Sequence, residues 1–265
     1  MSLLEVRDLR AQFDLHTETV EAVRSVSFDV AAGDSVGIVG ETGSGKSVTV
    51  RSILGLLRAP GRVTGGTARF NGDDLIGMKP KALRRLRGTE IGLIPQNPFG
   101  SLNPILTIEK QFRNVLGAHG QAASRETVHG RAVAVLESVG ISQAERVLAG
   151  HAHQLSGGMA QRVAIAMAFI LEPRLIVADE PTTALDVTVQ KQILDLLADL
   201  IAADQRSLLI VTHDLGVVAN YCEKVVVMYK GEVVETGLVR DVFVNPSADY
   251  TRSLLDSVPK PGERW

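Results

Sequence analysis

Apolar and polar residues alternate over Leu3–Phe13 and Val20–Val30, and both runs are rich in β-branched side chains. Such alternation places every second residue on one face, so each run predicts a half-buried strand. Ala31–Asp34 reads as a turn. Ser35–Val39 is a short apolar run that ends at Gly40, the pattern of a buried strand. Lys46–Leu57 predicts a helix, closed by Pro60 and Gly61. Val63–Leu75 predicts a hairpin turning at Asn71-Gly72. Lys79–Arg87 predicts a short basic helix and Ile91–Pro95 another strand.

The period then changes. From about Asn103 to Leu171 strand formers are few, and Ile108–Leu116 and Arg125–Val139 carry apolar residues three and four apart. Leu175–Ala178 and Ser207–Thr212 are apolar strands flanking a helix over Val187–Ala203. Lys224–Tyr229 and Glu232–Thr236 form a second hairpin around Lys230-Gly231. A helix from Val239, a break at Asn245-Pro246 and a helix near Tyr250–Leu255 follow. Strands alternating with helices predict an α/β fold with a mainly parallel sheet. The expected division is a core of residues 1–96 and 172–238 with an antiparallel β subdomain at its N-terminal end. An inserted helical subdomain covers 97–171, and a helical tail covers 239–265.

Composition narrows the picture. The 265 residues are 45% hydrophobic and 22% charged, as in an ordinary globular chain. The net charge of −2, with signs interspersed, gives no basic surface for nucleic acid. Cys222 is the sole cysteine, so no disulfide or all-cysteine metal site can form within the chain. It reads as a buried small residue in a reducing compartment. No stretch of 18 apolar residues occurs, and the first ten residues lack a signal core. Any role at a membrane is therefore expected through a partner.

The candidate chemistry begins with Gly40, Glu41, Thr42, Gly43, Ser44, Gly45, Lys46 and Ser47, which fit the phosphate-loop pattern G-x-x-x-x-G-K-[ST]. Glycines let the backbone wrap an anion. Amides of the loop and of the helix start, through Val48, then point at the phosphates. Lys46 supplies charge, and the Ser47 hydroxyl is a hard ligand suited to Mg²⁺. Leu175–Ala178 runs into Asp179 and Glu180. Beside a phosphate loop, Asp179 suits a Mg²⁺ ligand and Glu180 a base that polarises the attacking water.

Leu155-Ser156-Gly157-Gly158-Met159 together with the phosphate loop resembles the ATP-binding cassette (ABC) ATPases, whose signature usually reads LSGGQ. The resemblance spans nearly the whole chain and implies a P-loop ATPase using ATP and Mg²⁺. It makes Gln96 the glutamine that reaches Mg²⁺ and contacts the membrane partner. Ser156, Gly157 and Gly158 become the signature that faces the γ-phosphate on another subunit. Ala184-Leu185-Asp186 matches the loop at the dimer seam, and His213 the switch histidine on the γ-phosphate. Phe13 falls where the family places a ring against adenine, with His16 a weaker competitor. The implied assembly is a head-to-tail dimer with the same or a different ATPase chain.

Pro95-Gln96-Asn97-Pro98, His153–Met159, Glu180–Gln190 and the tail Asn245–Leu255 resemble the oligopeptide, dipeptide and nickel importer branch. The implied function is ATP hydrolysis powering import of peptides or a related small solute, at the cytoplasmic face of the cell membrane. Membrane permeases are the implied partners, and a solute-binding protein an indirect one. The helical subdomain near Gln96–Leu106 is expected to receive a permease helix. Nickel or other small-solute import, and a soluble ABC ATPase, are the alternatives. A phosphate-loop kinase or GTPase would leave Ser156–Met159 unexplained. With Cys222 as its only thiol, the chain is expected to hold no iron–sulfur cluster.

Overall fold

The computed structural model describes residues 2–122, 124–183 and 185–257. Strands β1 (Ser2–Asp14), β2 (Thr19–Ala31) and β3 (Ser35–Val39) precede helix α1 (Lys46–Ile53). Then come β4 (Gly61–Phe70), the short β5 (Asp73–Asp74), α2 (Pro80–Thr89) and β6 (Ile91–Ile94). Helices α3 (Pro98–Ser101), α4 (Ile108–Ala118), α5 (Arg125–Ser138), α6 (Ala144–Ala149) and α7 (Gly157–Phe169) follow, with no strand between them among the described residues. β7 (Leu175–Asp179), α8 (Val187–Ala203), β8 (Ser207–Thr212), α9 (Leu215–Tyr221) and β9 (Lys224–Tyr229) come next. β10 (Glu232–Leu238), α10 (Val239–Val244) and α11 (Asp249–Asp256) complete the order. The fold is α/β, with mixed sheets and an antiparallel N-terminal sheet.

The described residues divide into two compact units, one from residues 2–79 with 207–257 and one within 80–206. In the first unit β2, β1, β4 and β5 form an antiparallel sheet in that order. Alternation along β1 changes phase: Leu4 and Val6 are buried, then Leu9 and Ala11. The cause is a register shift between Val6 and Leu9, where Asp8 takes φ 48 opposite Gly66 at φ 85. A Cβ on Gly66 would come within 2.5 Å of the Asp8 carbonyl carbon and oxygen, so the bulge needs glycine there. The same unit holds β3 between β8 and β9, parallel to both, with β10 antiparallel to β9. Val36, Ile38 and Val39 are at most 1% exposed. β3 is thus buried along both faces, as its unbroken apolar run requires.

The second unit pairs β6 and β7 in parallel and packs α4 to α7 around Phe112, Leu116, Leu136, Val163 and Ile165, all fully buried. α7 is buried on nearly every side, which its alanine-rich sequence permits. The hydroxyls of Thr107, Ser124 and Ser156 start α4, α5 and α7 by accepting from Lys110, Thr127 and Met159 amides.

Two local expectations need correction. The helix expected to reach Leu57 stops at Ile53, because Gly55 turns left-handed at φ 60. The Leu56 amide then bonds the Arg51 carbonyl at 2.7 Å and the Gly55 amide bonds Ser52 at 3.1 Å, closing the helix end. Helix α9 was not expected at all, since Gly216, Val217 and Val218 are poor helix formers. Asp214 starts it by accepting from the amides of Gly216 and Val217.

Candidate active site

In the first unit β3 delivers the chain into the phosphate loop. Gly40 lies at φ 153, and a Cβ there would sit 2.1 Å from the Met228 carbonyl oxygen. Gly45 lies at φ 98, and its Cβ would meet the Ala22 carbonyl at 2.3 Å. Backbone from β2 and β9 thus presses directly on the loop, and only glycine fits. The Gly231 amide holds the Ser44 carbonyl at 3.0 Å, and the Arg24 amide holds Gly231 at 2.8 Å. Glu41, Thr42 and Gly43 are exposed.

Lys46 is only 4% exposed. Its ammonium donates to the carbonyls of Gly40 at 2.6 Å and Glu41 at 2.8 Å, and to the Ser44 hydroxyl at 3.4 Å. A buried cation held in a ring of loop atoms is prepared for an anion. α1 starts at Gly45 with no side-chain cap, leaving the helix N-terminus to an incoming acceptor. The β3–β8 register pairs Val39 with Thr212, so the next residues, Gly40 and the exposed His213, leave adjacent strands side by side. The first unit therefore brings Gly40–Val48 and His213 to one end of its sheet.

Phe13, in the same unit, lies near the end of β1 and is half-buried. It pairs with Val20 and Gly61, and a Cβ on Gly61 would come within 2.7 Å of its ring. His16 is exposed between β1 and β2.

In the second unit β7 ends at Asp179, 4% exposed, and Glu180 turns away at φ 47. The β6–β7 register pairs Ile94 with Ala178, so Gln96 and Glu180 stand two residues beyond matched positions. Glu180 Oε2 accepts from Gln96 Nε2 at 2.8 Å and from Thr183 Oγ1 at 2.9 Å. Two donors on one oxygen restrict the rotation of the carboxylate. Thr183 was not among the expected site residues. Its spacing of three from Glu180, across a turn, was the available signal.

The signature lies in the same unit. The Ser156 hydroxyl accepts from the Met159 amide at 3.3 Å, with Gly157 and Gly158 in the first turn of α7. A Cβ on Gly158 would meet Val189 Cγ1 at 2.9 Å, and one on Gly157 would meet Leu185 at 3.5 Å. Asp186 caps α8 by accepting from the Val189 amide at 3.0 Å. The expected signature and seam loop therefore pack against each other. Ala184 of that loop lies outside the described residues, as do residues 258–265 of the expected tail.

The donors suit Mg²⁺. The Ser47 hydroxyl, the Asp179 carboxylate and the Gln96 amide oxygen are the hard oxygens this ion takes. Among the described residues no group of three His, Cys, Asp or Glu could hold a metal ion alone.

A model of the ABC transporter family matches residues 23–183. The oligopeptide transport ATP-binding protein OppD of Bacillus subtilis is 47% identical over 97% of this chain and 72% of its own length. The dipeptide transport ATP-binding protein DppD of Lactococcus lactis is 44% identical over 97% of this chain and 74% of its own. Among solved structures, the MJ0796 ATP-binding cassette, a dimer bound to ADP and Pi after hydrolysis, is similar at a TM-score of 0.79. It shows 28% identity over 89% of this chain and 99% of that one. The cbiO1 protein of Clostridium perfringens, part of a cbiONQ transporter complex, gives a TM-score of 0.76. It is 27% identical over 92% of this chain and 91% of that one. With its phosphate loop, signature helix and held glutamate, this chain is an ATPase belonging to the ABC transporter family.

Proposed function

We propose that this chain is the ATP-hydrolysing subunit of an importer for peptides or closely related small solutes. The observation that carries the reading is its 47% identity, over 97% of its length, to an oligopeptide transport ATP-binding protein. No helix among the described residues is long and apolar enough to cross a membrane. Permease subunits would therefore form the path, and this chain would act on the cytoplasmic face of the membrane. A solute-binding protein would choose the cargo. The helical subdomain of residues 97–171 would dock the permease near Gln96–Leu106.

Lys46 and the amides from Gly40 to Val48 hold the phosphates of ATP, and Phe13 faces the adenine. Ser47, Gln96 and Asp179 would hold Mg²⁺, which when bound neutralises phosphate oxygens. Glu180 takes the proton of the attacking water, and His213 contacts the γ-phosphate. Ser156, Gly157, Gly158 and Asp186 act across a head-to-tail dimer, on the nucleotide of a second ATPase chain. In support, Ser156 opens a 13-residue helix whose N-terminal amides and dipole suit an anion.

Glu180→Gln keeps the volume and removes the base, so phosphate release should fall by about 10²–10⁴-fold while ATP binding persists. Light scattering after size exclusion should then show an ATP-dependent dimer. Lys46→Ala should lose ATP affinity and remain monomeric. Ser156→Arg should bind ATP as a monomer but fail to dimerise. Near-normal hydrolysis by Glu180→Gln would remove that residue from the catalytic role. Uptake of a labelled tripeptide by cells carrying the matching permeases, absent with Lys46→Ala, would test the cargo class.

A further inference from the structure

The tail motif around Tyr250 has no part in the chemistry above, yet it reaches the phosphate loop. The Glu41 amide, one residue after Gly40, donates to the Tyr250 hydroxyl oxygen at 3.1 Å. We propose that Tyr250 is a positioning residue of the nucleotide site. It would hold the entry limb of the phosphate loop from the C-terminal helix α11.

Three observations place the tyrosine firmly. Its ring packs on Tyr229, with centroids 4.2 Å apart and planes at 31°. Tyr229 ends β9 and leads into the Lys230-Gly231 turn, whose Gly231 amide already holds the Ser44 carbonyl. The loop is thus gripped at two points from one place, at Ser44 by the turn and at Glu41 by Tyr250. The start of α11 is also pinned. Glu235 on β10 accepts from the Ser247 amide at 2.7 Å, the Ser247 hydroxyl at 2.8 Å and the Ala248 amide at 3.1 Å. Finally, Tyr250 and Leu254 pack on a core that includes Val39, the last residue of β3. Strand, loop and tail helix therefore share one support.

The physical consequence lies in the loop's conformational freedom. Glu41, Thr42 and Gly43 are exposed, and the Glu41 carbonyl is held by Lys46 at 2.8 Å and by the Ser44 amide at 3.1 Å, while its amide is held by Tyr250. A bond that holds Glu41 restricts the loop before nucleotide arrives, so less ordering remains for binding to supply. Losing the bond should weaken ATP binding more than it slows the chemical step, because the hydroxyl meets the backbone of the loop at Glu41 rather than a residue proposed for the chemistry.

This inference rests on the reading of residues 40–48 as the ATP site. The test compares the wild-type chain with Tyr250→Phe, which keeps the ring and removes the hydroxyl. In the nucleotide-free protein, hydrogen exchange at the Glu41 amide should accelerate in the variant, while that of Gly231 should not. Affinity for a fluorescent N-methylanthraniloyl ATP should fall by about three- to ten-fold, the scale of one modest hydrogen bond. The ATPase KM should rise by a similar factor, with kcat within about two-fold. Unaltered exchange at Glu41 would overturn the contact. Faster exchange with unchanged nucleotide affinity, or a loss confined to kcat, would overturn the positioning role. Failure of the wild-type chain to bind the probe would instead remove the ATP-site reading, and the exchange measurement would still report the contact.

Discussion

Glu180 illustrates how much a single residue owes to its neighbours. Its left-handed backbone follows a buried strand, and one carboxylate oxygen takes both the Gln96 amide and the Thr183 hydroxyl. In the base role proposed for it, a carboxylate held so would need little reorganisation when water arrives. Cys222 is the opposite case, a nucleophile by type made inert by place. Burial pushes its thiol up to about 12. The residue is half-buried rather than fully buried, and its sulfur lies 3.1 Å from where a Gly37 Cβ would stand, beside β3. Because only the thiolate reacts, the folded protein should consume almost no Ellman's reagent near neutral pH, and one equivalent should react after unfolding. Rapid stoichiometric labelling of the native chain would contradict this.

At the scale of elements, the helical part of the second unit carries a histidine clasp. His129 on α5 sets Nδ1 at 3.2 Å from Glu109 on α4, and Nε2 at 3.0 Å from Glu145 on α6. Both partners are carboxylates, so the ring makes both bonds only as imidazolium. The bonds to Glu145 and Glu109 raise its pKa above the ordinary 6.5. Arg125, 3.8 Å from Glu109, and Glu126 line the same cleft. A raised folded value means the stabilisation is complete below the unfolded pKa. It is lost as pH rises through the folded value. Raising the pH from about 5.5 to about 8.5 should therefore lower the urea midpoint of the wild-type chain, and His129→Gln should flatten that dependence. Equal slopes for the two proteins would show that the clasp carries no linkage. Glu145 is exposed and His129 only half-buried, so solvent screens the clasp and the effect should be small.

For the whole molecule, ATP binding and folding are linked. A ligand that binds only the folded chain stabilises it by about 2.7 kcal/mol at about 100 times its Kd. Thermal unfolding should move upward with ATP, and Lys46→Ala, which removes the buried cation from the loop, should abolish the shift. A shift retained in that variant would place ATP somewhere other than residues 40–48. Much of this molecule was legible along the chain, because phosphate binding and hydrolysis demand particular residue types at short spacing. Gly40–Ser47, Leu155–Met159 and Asp179-Glu180 are each contiguous, and alternation or helical period marked most elements. Val187–Ala203 and Ser207–Thr212 begin and end where the pattern puts them. Local competition blurred the rest. Gly55 halts α1 inside an apolar run, and Asp8 with Gly66 shifts the alternation of β1. What only the tertiary structure decided are the meetings of distant residues. Gln96 reaches Glu180 across 84 positions through the register of β6 and β7, and Tyr250 reaches Glu41 across 209 through the packing of α11. Strand register and helix packing are set by burial summed over many side chains, so a period read along the chain identifies a buried face but not the partner it meets.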